Sequence, residues 1–288
     1  MYKNKAVAYL FITPFLIFAG MFLLYPFGKN IVDSFFRFDS VLDTTGDFVG
    51  IQNYISLFQD VKFQYSLLNT LILIVLVIVF QVGIALLLAL LVSLIKKFAT
   101  FFKVSFFMPI VISATAIGLM FNMFYGYDGA LNQLRELFGQ GKIVWIDHTS
   151  VARIYILTVI PVIWQYIGFY FVIFMAGLAN ISDEIIEASE IDGCNRFQQL
   201  YLIKIPMLRN ITNTVIVLAI TGTLKVFDLP FLISNGQPSG KTHFLGTLMN
   251  SYSDGEVGVA AAFAVIMVIL GVGLSALSNK LFKQADYL

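Results

Sequence analysis

Five of the seventeen acidic residues fall within the ten positions from Asp183 to Asp192, in a stretch that reads DEIIEASEIDGCNRFQQLYLIKIP from 183 to 206. Carboxylates massed this way in an otherwise apolar chain raise the question of what they are for, recognition or bond making. At about 100° per residue on a helix, Ile185, Ile186 and Ser189 share one side with Gly193, while Glu184, Glu187, Glu190 and Ile191 gather on the other. Ser182 is placed to N-cap this helix, and Asp183 and Glu184 complement the positive end of its dipole. Gly193 can adopt positive φ and end it. Asn195 with Gln198 predicts a second, capped helix, which Pro206 stops. A plain connection needs only a few polar residues. Helix, sharp turn and helix therefore read as a docking surface, with a merely solvated acidic face as the alternative.

Other reactive residue types give less. The segment GQPSGKT, Gly236 to Thr242, has three residues between its glycines where a phosphate loop needs four, and Asn235 stands where the first glycine belongs. The chain thus offers no nucleotide site of its own. Lys225 and Asp228, three apart, are read as an ion pair on one helical face or, less simply, as a proton relay. His148 and His243 stand alone, without a companion at metal-ligand spacing. Cys194 is the single cysteine and cannot form an intrachain disulfide.

The elements that must carry these residues are set by composition. Of 288 residues 59% are hydrophobic and 12% charged, with a mean hydropathy of +0.86, which is more apolar surface than a water-soluble domain can bury. The few Lys and Arg are scattered singly rather than massed into a basic stripe, at a net charge of +1, so no nucleic-acid role is indicated. Spans of roughly 20 apolar residues are expected at 6–27, 67–95, 104–125, 153–179, 209–233 and 257–279, the first retained rather than cleaved. The fold class is an all-α integral membrane protein with six transmembrane helices, a single transmembrane domain over 1–288 with the loop 180–208 between spans four and five. Ten of the eighteen basic residues, among them Lys3, Lys5, Lys96, Lys97, Arg196, Lys204 and Lys283, cluster at one set of span ends. By the positive-inside bias both termini and the acidic loop are then cytosolic. On the opposite side, Ile51, Tyr54, Ile55 and Phe58 in FVGIQNYISLFQD predict a short amphipathic helix at the membrane interface.

These residues carry a resemblance. Glu187, Ala188, Ser189, then Gly193, then Ile203, Ile205 and Pro206 resemble the signature Glu-Ala-Ala, Gly, Ile-x-Leu-Pro of binding-protein-dependent ABC importer permeases. The departures are Ser189 for the second alanine, Ile205 for leucine and Cys194 where alanine is usual. WQYIGFYFVIFMAGLANISDEIIEASEIDG (164–193), FFMPIVIS (106–113) and KVFDLPFLISNGQPSGKTHFLGTLM (225–249) are similar to the first permease of the paired sugar importers of the maltose, multiple-sugar and glycerol-phosphate type.

The resemblance implies a coupling helix carrying Glu187, Ala188, Ser189, Glu190, Asp192 and Gly193, with Ile203 and Pro206 behind it, seated on an ATPase subunit. It implies a second permease in a heterodimer, two cytosolic ATPase subunits, an extracytoplasmic solute-binding protein and a place in the bacterial cytoplasmic membrane. No cofactor belongs to this chain, and ATP and Mg belong to the partners. For the solute path, Gln81, Trp164, Gln165, Tyr166, Tyr170, Thr221 and Thr223 lie near mid-membrane. Aromatic faces suit the C–H surface of a sugar and amides or hydroxyls its hydroxyl groups, although helix packing explains each residue singly. Two other readings are an ABC permease for a non-sugar solute and an ATP-independent secondary transporter, the latter disfavoured by the lack of an intramembrane relay.

Overall fold

The structure, a computed structural model, describes residues 5–38, 43, 45–95, 99–147, 149–236, 238, 240–252 and 256–282. Lys3, Lys96, Lys97, His148, Gln237, Ser239 and Lys283 lie outside them. The chain divides into two compact units, Met1–Phe63 with Leu248–Ile269, and Gln64–Thr247 with Leu270–Leu288.

In the first unit, α1 (Lys5–Ala19), a π-turn (Gly20–Leu24) and α2 (Tyr25–Asp33) make one helical run. Pro14 is tolerated within it. Tyr9, Phe11, Phe15 and Phe22 are all exposed, the all-round apolar surface of a helix meant for lipid or another subunit. Strand β1 (Phe36–Arg37) pairs antiparallel with β2 (Asp47–Phe48), placing Phe36 opposite Phe48. Helix α3 (Gln52–Gln59) is two-faced as its spacing predicts: Ile51, Ile55 and Phe58 are exposed, whereas Asn53 and Leu57 are buried. The Asn53 amide donates to the carbonyls of Ser34 and Phe36, both at 2.9 Å, and so fixes the helix to the chain that precedes it.

Helix α4 (Val61–Leu76), a π-turn (Val77–Val82) and α5 (Gly83–Ser93) follow without interruption. Next come α6 (Ala99–Val111), α7 (Ala114–Tyr125), α8 (Ala130–Leu137) and the 29-residue α9 (Val151–Ala179). Beyond them lie α10 (Asp183–Ile191), α11 (Arg196–Gln199), a π-turn (Leu200–Lys204), α12 (Ile205–Met207), α13 (Arg209–Leu224), α14 (Asp228–Ile233), α15 (Leu245–Tyr252) and α16 (Val257–Phe282). Four runs are long and apolar enough to cross a membrane, Tyr9–Asp33, Val61–Ser93, Val151–Ala179 and Val257–Phe282, and two bent pairs raise the number to six.

Two expected spans are corrected, the first by one of these bent pairs and the second by a gap after α13. The span at 104–125 is broken: α6 and the segment that starts at Ala114 meet at 90°. Ser113 makes the break, since its backbone is extended (φ −60°, ψ 143°) and its Oγ accepts from Ala116 N at 3.2 Å, capping α7 as a new helix. The span at 209–233 ends early: α13 stops at Leu224, Lys225 to Phe227 are not helical, and α14 restarts at Asp228. Pro206 does not stop the preceding helix either. The run Arg196–Met207 continues one residue past it and turns by 64° before Arg209.

Close packing of α9 holds the second unit together. A Cβ on Gly168 would lie 1.7 Å from the Phe106 carbonyl oxygen, so only glycine lets α6 approach α9 this closely. Beside it the rings of Phe106 and Phe171 meet edge to face at 5.4 Å. Pro161 lacks an N–H and frees the Leu157 carbonyl. The buried Tyr125 hydroxyl from α7 donates to that oxygen at 3.0 Å, so the defect becomes a tie between helices.

Candidate functional site

The acidic loop is built as two locked helices. At the end of α10, Gly193 N donates to Glu190 O (3.0 Å) and Cys194 N to Ser189 O (2.9 Å), with Gly193 at φ +85°. This pair of bonds is a Schellman closure, which satisfies orphan carbonyls and requires the left-handed residue that glycine supplies. The expected capping box also forms: Gln198 N donates to Asn195 Oδ1 at 2.9 Å, and Asn195 N to Gln198 Oε1 at 2.7 Å. Ser182 occupies the N-cap position of α10, yet its side chain makes no capping bond, contrary to expectation.

The two sides of α10 separate largely as the 100° spacing predicts. Ser189 is buried and Ile186 half-buried, while Glu184, Glu187, Ala188, Glu190, Ile191 and Asp192 are exposed, Ile191 to 87%. Ile185, expected on the inner side, is exposed. Behind the helix, buried Gln199 donates from Nε2 to Ser189 Oγ at 3.1 Å, and Ser189 Oγ donates to Ile186 O at 2.6 Å. Nothing in the local pattern reveals Gln199, because the bond joins different helices. Ile203 is half-buried in the π-turn and Pro206 is exposed. Lys204 Nζ donates to Ser93 Oγ at 3.1 Å, which ties the π-turn to the end of α5. A cleft of about 650 Å³ beside α10 is lined by Lys103, Arg196 and Lys204 together with Asp183, Glu187 and Glu190.

A second cavity, of about 350 Å³, lies where the two spans break. Ala114 at the start of α7, Gly222, Thr223, Lys225 and Val226 at the end of α13 and Phe227 to Leu229 at the start of α14 all reach it, with Val77, Gln81 and α9 as the other walls. Non-helical backbone at membrane depth is tolerated where it lines such a cavity. Gln81, Gln165, Tyr166, Tyr170 and Thr223 come together here. Gln165 is only 6% exposed, and its amide has no hydrogen-bond partner among the described residues and opens onto the cavity. Gln81 has a structural duty: its Nε2 donates to the carbonyls of Val162 (3.0 Å) and Ile163 (2.8 Å) on α9. Thr223 Oγ1 is held by Ala219 O at 2.7 Å.

Trp164 and Thr221 are not brought to this cavity. Trp164, one residue and thus 100° away from Gln165, lines an apolar groove with Phe80 and Ile84 and meets the Phe121 ring at 5.9 Å. Thr221 Oγ1 bonds Val217 O at 2.9 Å on its own helix. Lys225 and Asp228 form no ion pair, because the helix that would align them ends between them. Each instead complements a helix end, the cation at the negative terminus of α13 and the carboxylate in the first turn of α14. Both are exposed and line the cavity, a feature that reading them as a pair concealed. Lys241, from the near-miss phosphate loop, is employed structurally: its Nζ lies 4.9 Å from the Tyr65 ring centre and its carbonyl accepts from the Asn69 amide at 2.8 Å.

Interrupted apolar helices around a polar cavity, with an acidic two-helix loop, define a helical membrane transport protein. The chain belongs to the family of binding-protein-dependent transport system inner membrane components, whose pattern matches residues 81–285. It is thus a multi-pass permease subunit of an ABC transport system. Among its relatives, the "Probable ABC transporter permease protein YurN" of Bacillus subtilis (strain 168) is 32% identical, across 98% of this chain and 97% of its own. The multiple sugar-binding transport system permease protein MsmF of Streptococcus mutans is 30% identical, across 98% of this chain and 97% of its own. A solved bacterial ABC transporter involved in import of the acidic polysaccharide alginate shares the fold, with a TM-score of 0.83 at 19% identity over 98% of this chain and 96% of that one.

Proposed function

We propose that the chain is the first permease of a paired importer that takes up a sugar or oligosaccharide delivered by an extracytoplasmic binding protein, in the cytoplasmic membrane of a bacterium. It acts as one permease domain of six spans, two of them interrupted, with both termini and the α10–α11 loop in the cytosol. A second permease completes the path. Two ATPase subunits, holding ATP and Mg, drive it from below. The names of the relatives support the sugar, among them the multiple sugar-binding permease MsmF and the arabinooligosaccharide permease AraP of Bacillus subtilis.

The observation that carries the coupling role is the preset loop itself. Its turn and the α11 cap are internally satisfied, and Glu190 Oε1 accepts from Gln199 Nε2 at 3.5 Å, while Glu187, Glu190 and Ile191 stay exposed for a partner. Glu187 and Glu190 pair with basic residues of the ATPase cleft, and Ala188 and Ile191 add apolar contact. Moving a two-state gate from 1:99 to 99:1 takes about 5.5 kcal/mol of differential binding, and burying one Ile contributes only roughly 1.5–3 kcal/mol. Static docking at one loop is therefore too weak. Closure of the ATPase pair must move both permeases together through their loops.

Solute passes the cavity at the broken spans, where Gln165, Tyr166 and Tyr170 offer hydrogen bonds and ring faces. Purification of the assembled complex with its binding protein, followed by mass spectrometry of the solute retained, tests this reading. A saccharide whose addition stimulates ATP hydrolysis is expected. A bound amino acid, or stimulation without the binding protein, contradicts it.

A further inference from the structure

We infer that Lys225 and Asp228 form a two-ended clamp for vicinal hydroxyl groups and select neutral saccharides over acidic ones. The inference rests on the reading of the cavity as the solute path. Both residues line that cavity, both are exposed, and neither side chain has an ion-pair or hydrogen-bond partner among the described residues. Three non-helical residues, Lys225 to Phe227, separate the two helices and keep the charges from aligning along one face.

Each charge has a favourable helix end to sit at, so the folded protein tolerates both without the two neutralising each other. What remains is an ammonium donor and a carboxylate acceptor facing one cavity of about 350 Å³. A hydroxyl group both donates and accepts, and adjacent hydroxyls on a sugar ring can accept from Lys225 while donating to Asp228 through charge-assisted bonds. The buried, unpartnered Gln165 amide supplies a further donor and acceptor, and the Tyr166 and Tyr170 rings supply faces for C–H surface. The net charge of the pair is zero. A uronate would satisfy Lys225 at the cost of facing Asp228, and a cationic solute the reverse, so both are rejected by a like charge.

The test is ATP-driven uptake into proteoliposomes holding the full complex and its binding protein, with labelled maltotriose, raffinose, xylotriose, arabinotriose and trigalacturonate as probes. Wild type is expected to take up at least one neutral probe and no trigalacturonate. Lys225→Met and Asp228→Asn should each raise the half-saturating concentration of that probe about tenfold or more, as expected for loss of a charge-assisted bond. Lys225→Arg and Asp228→Glu should retain most of the wild-type value, which separates lost contact from misfolding. Uptake of trigalacturonate by wild type, or unchanged half-saturation in the neutralised variants, overturns the inference and leaves the saccharide reading standing. Transport of no saccharide at all overturns both.

Discussion

Gln199 Nε2 donates to Ser189 Oγ across 3.1 Å, joining the inner side of α10 to the end of α11, and both residues are buried. The bond converts two short helices, neither stable alone, into one rigid knuckle. Under the proposed coupling role, force applied to the exposed face of α10 would pass through this tie toward the chain that enters α13. Ser189 is also where the family signature usually has alanine, so this chain carries a tie that its pattern does not require.

Ser189→Ala and Gln199→Leu should each remove that tie. Stability should fall by about 1 kcal/mol, the net worth of one hydrogen bond, while solute moved per ATP hydrolysed falls further. Measuring uptake and hydrolysis in the same proteoliposomes checks this. An unchanged ratio in both variants would show that the knuckle transmits force without the tie.

Gly193→Val places a β-branched residue at φ +85°, a strain of roughly 1–3 kcal/mol. Glu187→Lys leaves the backbone alone and reverses a bare charge. Both should insert in the membrane at normal levels yet hydrolyse ATP without stimulation by the solute-loaded binding protein. Normal stimulated hydrolysis in both would refute the docking role of α10.

Trp164→Ala and Gln165→Ala differ by one residue and should differ in outcome. Trp164 lines the apolar groove, so its loss should leave the half-saturating solute concentration unchanged. Gln165 opens onto the cavity, and its loss should raise that concentration several-fold, roughly the effect of one neutral hydrogen bond. Uptake titrations with the solute recovered from the binding protein decide it, and the reverse pattern would move the path to the other face of α9.

Tyr125→Phe strips the donor from the carbonyl that Pro161 frees. A buried carbonyl left alone costs about 1–3 kcal/mol, so thermal unfolding in detergent should shift to lower temperature, with transport preserved at low temperature. No shift would mean that the Leu157 oxygen finds another donor.

The sequence was informative where the determinants are local. Gly193, Asn195 and Gln198 specify a turn and a cap within a few residues, and the inward placement of Ser189 follows from helical phase on a helix that has a polar side. The same phase argument fails on α9, which is apolar all round, so nothing in the pattern chooses between the faces of Trp164 and Gln165. The breaks after Val111 and Leu224 escape a hydropathy window because most of the residues beyond them are apolar, even with Lys225 and Asp228 among them. Ser113 following Pro109 was the readable sign of the first break, and a cation then a carboxylate at Lys225 and Asp228 was the sign of the second. Gln199 and Tyr125 act on partners far along the chain and become visible only in the folded molecule.

The central claim is that this chain is a passive gate moved by a separate ATPase. Its most direct test is uphill solute accumulation in proteoliposomes that contain the two permeases and the binding protein, with and without the ATPase subunits, at saturating MgATP. Accumulation is predicted only when the ATPase subunits are present. Accumulation against a gradient in their absence would contradict the account.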